Sequence, residues 1–328
     1  MNSAAAAARL LVGFALVTLL FASTPASAET SEKTPPTTVS FTFTGGFRGQ
    51  EVAAAILARH NMTGTFYVSS RSIGLPAYLG ARDLRSIAGS GSEIGGGTLS
   101  HQDLATQTDE QVVQEICADR STLSSWGFPV TSFAYPYGSW TYAGQAAAQK
   151  CGYNSARGLA ELRVSDTLCS ACPASESVPP LNAYDLRTTS PGATVADLEK
   201  VIGHAQQSGG GWVLVALDHV CRCPDRGDRA LSPAELEQLM RWVSRRPGTR
   251  VRTVNQVIGG SVLPVAAAPR TQGAPSHRED AIPLNRRPAW TVLGAGIGQV
   301  QILFSGLAMA TAVVGTYRVA TRGSRYGR

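Results

Sequence analysis

Two imidazoles and two carboxylates stand out as groups able to work together: His101, with Asp103 just after it, and the adjacent pair Asp218–His219. Brought to one point, they would present two rings and a carboxylate to a divalent metal such as zinc or cobalt. His219 alone would suit a general acid, although a single histidine at a strand end is as readily structural. The six cysteines, Cys117, Cys151, Cys169, Cys172, Cys221 and Cys223, offer a second chemistry. In an exported chain an even number reads as disulfides, with the pairing left open. Cys169-x-x-Cys172 with Cys221-x-Cys223 would be the zinc alternative, but C-x-C spacing suits a closed tetrahedral site poorly. Tyr137, Trp140 and Tyr142 could stack on sugar rings, or merely form rim and core.

The elements that must position these groups alternate in type. Thr38–Phe43 is β-branched and aromatic and predicts a strand, followed by a helix over Gln50–Arg59 and a strand over Gly64–Val68. A second helix includes Leu84–Ala88, and Thr108 to Gln111 opens another as a capping box running to about Ser125. A strand over Thr131–Tyr135, helices over Gly144–Lys150 and Val195–Gln207, a buried strand over Trp212–Leu217 and a helix over Pro233–Arg245 complete the pattern. This alternation predicts an α/β fold with a parallel sheet or barrel, in which function collects at the C-terminal ends of strands. The segments that fall there are Thr44-Gly45-Gly46, Thr98 to His101, Tyr135-Pro136-Tyr137-Gly138 and Asp218-His219.

Those four segments, in that order and spacing, resemble the NodB-homology polysaccharide deacetylase family over roughly Thr37 to Gly260. Phe133-Ala134 before the third segment, Ala156-Arg157-Gly158, His219-Val220-Cys221, Val251-Arg252-Thr253-Val254 and Ile258-Gly259-Gly260 extend the likeness. The resemblance implies a distorted TIM-like (β/α) barrel and a hydrolase of carbon–nitrogen, non-peptide bonds acting on N-acetylated polysaccharide. It also implies a divalent metal held by one Asp and two His. A T-F-D-D-G motif would supply the base and the ligand Asp, and an H-T-x-x-H motif the two rings.

Here the first motif reads Thr42-Phe43-Thr44-Gly45-Gly46, with Thr44 at the base position and Gly45 at the ligand position. The second reads Gly97-Thr98-Leu99-Ser100-His101, so Gly97 replaces one ring and His101 remains. By the same resemblance, Tyr135, Pro136, Tyr137 and Trp140 would line the substrate groove. The amide near Tyr137 would face the oxyanion, and His219 would fall beside the general-acid position. Loss of an outer partner of a metal costs about 10–100-fold, and loss of a general base roughly 10²–10⁴-fold. Losing two direct ligands as well predicts a pseudoenzyme with no cofactor, which binds or scaffolds glycan. The enzyme alternative is an active de-N-acetylase with a rewired site; the third reading is a structural membrane-anchored protein. The triple change Thr44→Asp, Gly45→Asp and Gly97→His is expected to recover metal binding.

The two ends explain the charge. Arg9, the apolar run Leu10–Phe21 and Ala26-Ser27-Ala28 read as a signal peptide over 1–28. A short segment over 29–37 leads into the deacetylase-like domain over 38–260, and a Pro/Ala-rich linker over 261–288 follows it. The stretch 289–317 is uncharged and long enough to span a bilayer, with Trp290 and Tyr317 at its edges and a basic tail over 318–328. Of the formal net charge of +6, four units are Arg318, Arg322, Arg325 and Arg328 and one is Arg9. The basic balance therefore indicates membrane topology, with the domain outside and the C-terminus cytoplasmic, and not nucleic-acid binding. Expected partners are the membrane and cell-envelope polysaccharide or peptidoglycan. Gly294 and Gly298 form a G-x-x-x-G step that could pair two spans into a homodimer.

Overall fold

The computed structural model describes residues 36–163, 171–223 and 230–265. The expected signal peptide, the span, the basic tail and most of the linker lie outside the described residues. Among the described residues no helix is long and apolar enough to cross a membrane. The order is β1 (Thr37–Thr44), α1 (Gln50–Arg59), β2 (Gly64–Val68), α2 (Ala81–Gly89), β3 (Glu93–Gly96), α3 (Asp109–Ser125), β4 (Ser132–Ala134), α4 (Tyr142–Lys150) and β5 (Ser155–Glu161). It continues with β6 (Leu186–Thr188), α5 (Val195–Gln207), β7 (Gly211–Leu217), β8 (His219–Val220), β9 (Ala230–Leu231), α6 (Pro233–Ser244), β10 (Thr249–Val251) and α7 (Val254–Ile258).

β1 is the axis of the sheet. It pairs in parallel with β7 along one side, and on the other with β10 through Thr37–Val39 and then with β2 from Phe41 onward. The ladder continues through β3, β4 and β5 to β6, all parallel. The sheet curls until Thr189, just past β6, donates its N–H to the Leu214 carbonyl of β7 at 2.9 Å. The outcome is a curled parallel half-barrel and not an even ring of strands. The short β6 meets β7 through isolated bonds where a regular barrel would have a ladder.

Alternation along β1 explains what the curl encloses. Val39, Phe41 and Phe43 face the helices and join Ala53, Ile56 and Leu57 of α1 in the main core. Ser40, Thr42 and Thr44 point the other way, into the barrel, where each hydroxyl needs a partner. Ser40 Oγ donates to Arg252 O and accepts from Trp212 Nε1, while Thr42 Oγ1 donates to Val215 O. Trp212, Leu214, Leu186 and Val254 form a second apolar cluster. β7 obeys the same period, with Val213, Val215 and Leu217 in the main core.

α1, β2 and α5 fall on the residues that periodicity indicates, and Thr108 with Gln111 forms the expected reciprocal cap of α3. β3 carries no sequence signal because two of its residues are Gly95 and Gly96. A Cβ on Gly95 would lie 2.5 Å from the Tyr67 ring, and one on Gly96 would lie 2.0 Å from the Tyr153 hydroxyl oxygen. The glycines admit two large interior rings. Cys117 of α3 is bonded to Cys151 at the end of α4, and Cys221 to Cys223; Cys172 is also disulfide-bonded. These bonds consume the thiolates of Cys172, Cys221 and Cys223 that the zinc alternative requires; Cys169 lies outside the described residues.

Candidate functional site

The C-terminal ends of the strands form a mouth, and Gln50 holds two of them together. This first residue of α1 is fully buried, and its Nε2 donates to Thr44 O at the end of β1 and Asp218 O after β7, each at 2.7 Å. Gly49 before it is there of necessity, since a Cβ would come 2.1 Å from Val220 O. Between β1 and α1 the chain turns through Gly45 and Gly46, at φ 89° and 67°, in the region where side chains are strained. The turn brings the half-buried Phe47 ring back over Gly45. A Cβ there would sit 2.5 Å from Phe47 Cε2. Phe47 stacks on His219 with ring centroids 3.9 Å apart, and Tyr78 stacks on Phe47 at 5.5 Å.

Beneath this aromatic layer lies a cation. β5 alternates so that Ala156 joins the main core and Arg157 enters the barrel, where it is fully buried. One terminal nitrogen of Arg157 donates to Thr44 Oγ1 and the other to Gly158 O, and the guanidinium lies 4.9 Å from the centre of the Tyr67 ring. Burial pulls its pKa below the usual value, while Tyr67 and Asp218 oppose that by favouring the charge. Thr44, at the base position, is thus engaged by a guanidinium. Its hydroxyl also sits beside the Gln50-held end of β1.

The His101 segment is strained. Among the described residues four non-glycines have positive φ, and three of them are Thr98 (70°), His101 (58°) and Tyr137 (57°) at this mouth. A β-branched residue in that region is a genuine outlier, and such strain gathers where the surroundings over-determine the backbone. The surroundings here are specific. Thr98 Oγ1 accepts from His101 N at 2.9 Å, Glu115 holds Ser100 through both N–H and Oγ, and the buried Asp119 accepts from Ser70 N and Gly97 N. Burial pushes the Asp119 carboxyl up to about 8, against the lowering effect of those bonds. The His101 ring meets the exposed Tyr137 ring edge-on at 5.0 Å. Burial lowers its pKa and Asp218 partly restores it, so the imidazole stays neutral near neutral pH, and its Nε2 has no hydrogen-bond partner.

The remaining groove residues spread outward. Tyr135 is buried and donates its hydroxyl to Tyr184 O, Pro136 is buried beside it, and Trp140 packs edge-on to Tyr142 with its Nε1 unpartnered. Asp103 does not join His101: its carboxylate accepts from Ala105 N at 3.0 Å and interacts with Ser139.

The residues present do not fit the family's metal. No group of three or more His, Cys, Asp or Glu able to hold an ion converges among the described residues. The rewired set therefore does not assemble, since Asp103 caps its own turn and His219 is covered by Phe47. A carboxylate at Gly45 would collide with the Phe47 ring. A side chain at Gly97 would begin 3.3 Å from Val68 O, so the end of β2 must give slightly. Restoring Thr44→Asp, Gly45→Asp and Gly97→His would therefore also have to displace the Phe47 ring and hold a side chain at the positive φ of residue 45.

Phe47, Arg157, Gln50 and Asp119 are the working residues that sequence reasoning missed. The Ala156-Arg157-Gly158 run entered the resemblance without any role for Arg157. Residues 31–156 match the polysaccharide deacetylase family model, and the chain therefore carries a polysaccharide deacetylase (NodB-homology) domain. The match ends before Arg157, Asp218 and His219. No curated protein sequence matches. Among solved structures, the chain is similar to the CE4 domain of a multidomain xylanase from the hindgut metagenome of Trinervitermes trinervoides. That alignment has 15% identity, a TM-score of 0.45 and coverage of 68% of this chain and 89% of that one. A CE4 family pseudoenzyme from Bacillus anthracis aligns at 12% identity and TM-score 0.44, over 68% of this chain and 66% of that one. A family 4 carbohydrate esterase from Streptomyces lividans, in complex with acetate, aligns at 13% identity and TM-score 0.44, over 66% and 91%.

Proposed function

We propose that this deacetylase-fold domain is a pseudoenzyme that binds N-acetylated cell-envelope glycan, exported and held to the membrane by the segment 289–317. The observation that carries the reading is the Phe47 ring lying over Gly45 and stacked on His219. The space a ligand carboxylate needs is taken by a hydrocarbon face, and the imidazole beside the general-acid position is covered by it. Arg157 supports the same reading, because a buried guanidinium engaged with Thr44 disfavours a second cation nearby. What a sugar would meet is the rim: the exposed Tyr137, with Trp140 and Tyr142 beyond it. Such faces stack on apolar sugar faces.

Retention of the purified full chain on peptidoglycan and on chitin-type oligomers tests this. Binding that drops roughly tenfold or more in Tyr137→Ala with Trp140→Ala is expected. A chain that no envelope glycan retains would end the binding reading. An active hydrolase is the second reading, favoured by the neutral, unpartnered Nε2 of His101. Stoichiometric zinc or cobalt in purified protein, with acetate release abolished by His101→Ala, would put that reading first.

A further inference from the structure

The two disulfides with both partners described differ in every respect that governs exchange. Cys117 and Cys151 are both 1% exposed and close a loop of 34 residues between α3 and α4. Cys221 and Cys223 are two residues apart, with Cys221 half-buried and Cys223 exposed. Chain-entropy stabilisation grows with the loop a disulfide closes, so the second bond does little to hold the fold together. Its place says more. Cys221 continues β8 and donates its N–H to Leu231 O at the end of β9. Its Cβ lies 3.8 Å from where a Cβ on Gly49 would be, and Gly49 is the N-cap of the ten-residue α1. Arg222 stands exposed between the two cysteines. A helix N-terminus and an arginine both favour a thiolate over a thiol, which makes Cys221 the better leaving group and Cys223 the sulfur open to attack.

We infer that Cys221–Cys223 is a thiol-exchangeable disulfide whose reduction unseats the Phe47–His219 stack over the mouth. An incoming thiolate forms a sulfur–sulfur bond to Cys223 Sγ as the Cys221–Cys223 bond breaks, and Cys221 departs as a thiolate. A second thiolate attacks the mixed disulfide, frees Cys223 and leaves as the oxidised partner. Two electrons pass from the thiol pair to the protein, and water supplies protons to the released sulfurs. The coupling to the mouth is direct, because Cys221 follows immediately on β8, the two-residue strand that begins with His219, and His219 carries the Phe47 ring. The inference does not depend on the glycan reading.

The test uses the native full chain with dithiothreitol, followed by alkylation and peptide mapping. Cys221 and Cys223 should be alkylated roughly tenfold or more faster than Cys117 and Cys151, and reduced glutathione should trap an adduct on Cys223. The His219 ring-proton resonance should shift on reduction as the Phe47 ring current is lost, and likewise in Cys221→Ser with Cys223→Ser. If that double variant fails to fold, the reduction arm still decides. A map joining Cys221 or Cys223 to another cysteine, alkylation of all the bonds at one rate, or a His219 resonance indifferent to reduction would each overturn the inference.

Discussion

The floor of the half-barrel and its mouth are built on opposite terms. At the floor, Glu93 accepts from Thr65 Oγ1 at 2.9 Å, Ser132 Oγ at 2.6 Å and Asn255 N at 2.9 Å, and Thr65 in turn accepts from Val254 N. One carboxylate thus ties β2, β3 and β4 to the first turn of α7. At the mouth, three non-glycine residues sit at positive φ, and His101 Nε2, Trp140 Nε1 and Arg157 Nε lack hydrogen-bond partners. Unpartnered atoms occur at the floor too, at Thr37 Oγ1, Ser155 Oγ and Asn255 Oδ1. The Glu93 knot is nevertheless satisfied and the backbone strain gathers at the mouth, the division expected where one face of a barrel serves stability and the other serves ligands.

The sharpest way to break this comparison is to try to make the mouth catalytic again. Thr44→Asp, Gly45→Asp and Gly97→His together are expected to leave the protein without stoichiometric zinc by elemental analysis. Adding Phe47→Ala should bring zinc in, a gain well beyond about 100-fold in affinity, since ligands are restored and not merely tuned. Zinc in the triple variant would show that Phe47 moves freely. Next in size is the floor: Glu93→Ala should cost about 3 kcal/mol or more in urea unfolding, because several buried donors lose one acceptor. A loss under about 1 kcal/mol would remove the contrast.

Asp119 lies between the two regimes. Its folded carboxyl keeps its proton to about 8, whereas an unfolded one releases it near the ordinary carboxylate value of about 4. In that window the folded state binds more protons, so stability should fall as pH rises, by at most about 1.4 kcal/mol per unit. Asp119→Asn should flatten that slope, as read by urea midpoints on either side of the window. The smallest effect is expected from Tyr137→Gly, which relieves φ 57° at an exposed residue. It should raise stability by up to about 1 kcal/mol while weakening glycan retention. A destabilised variant would mean that the Tyr137 ring is held for packing.

Local signals made much of this legible in advance. The capping box of Thr108 and Gln111, the β-branched and aromatic run Thr38–Phe43 and the apolar run Trp212–Leu217 each act within a few residues, and α3, β1 and β7 lie there to within a residue or two. The loss of carboxylate and imidazole at Gly45 and Gly97 could be read directly as missing side chains. What filled the gap could not. Phe47 returns over Gly45 only because the Gly45–Gly46 turn doubles back, and Arg157 reaches Thr44 from a residue 113 positions away. β3 stayed hidden because its glycines answer to Tyr67 and Tyr153, which are distant in sequence. The open edge between β6 and β7 was equally out of reach, since it depends on how far the sheet curls.

Arg120 has a mechanical consequence. Its guanidinium grips Val130 O and Cys151 O, just ahead of β4 and β5, and also Leu263 O and Pro264 O, while Asn154 holds Gly259 O and Ser261 O. Tension arriving through residue 265 would therefore be borne by this clasp, next to the Cys117–Cys151 crosslink, and would dissipate in the base of the domain. The aromatic cover at the far end would feel none of it.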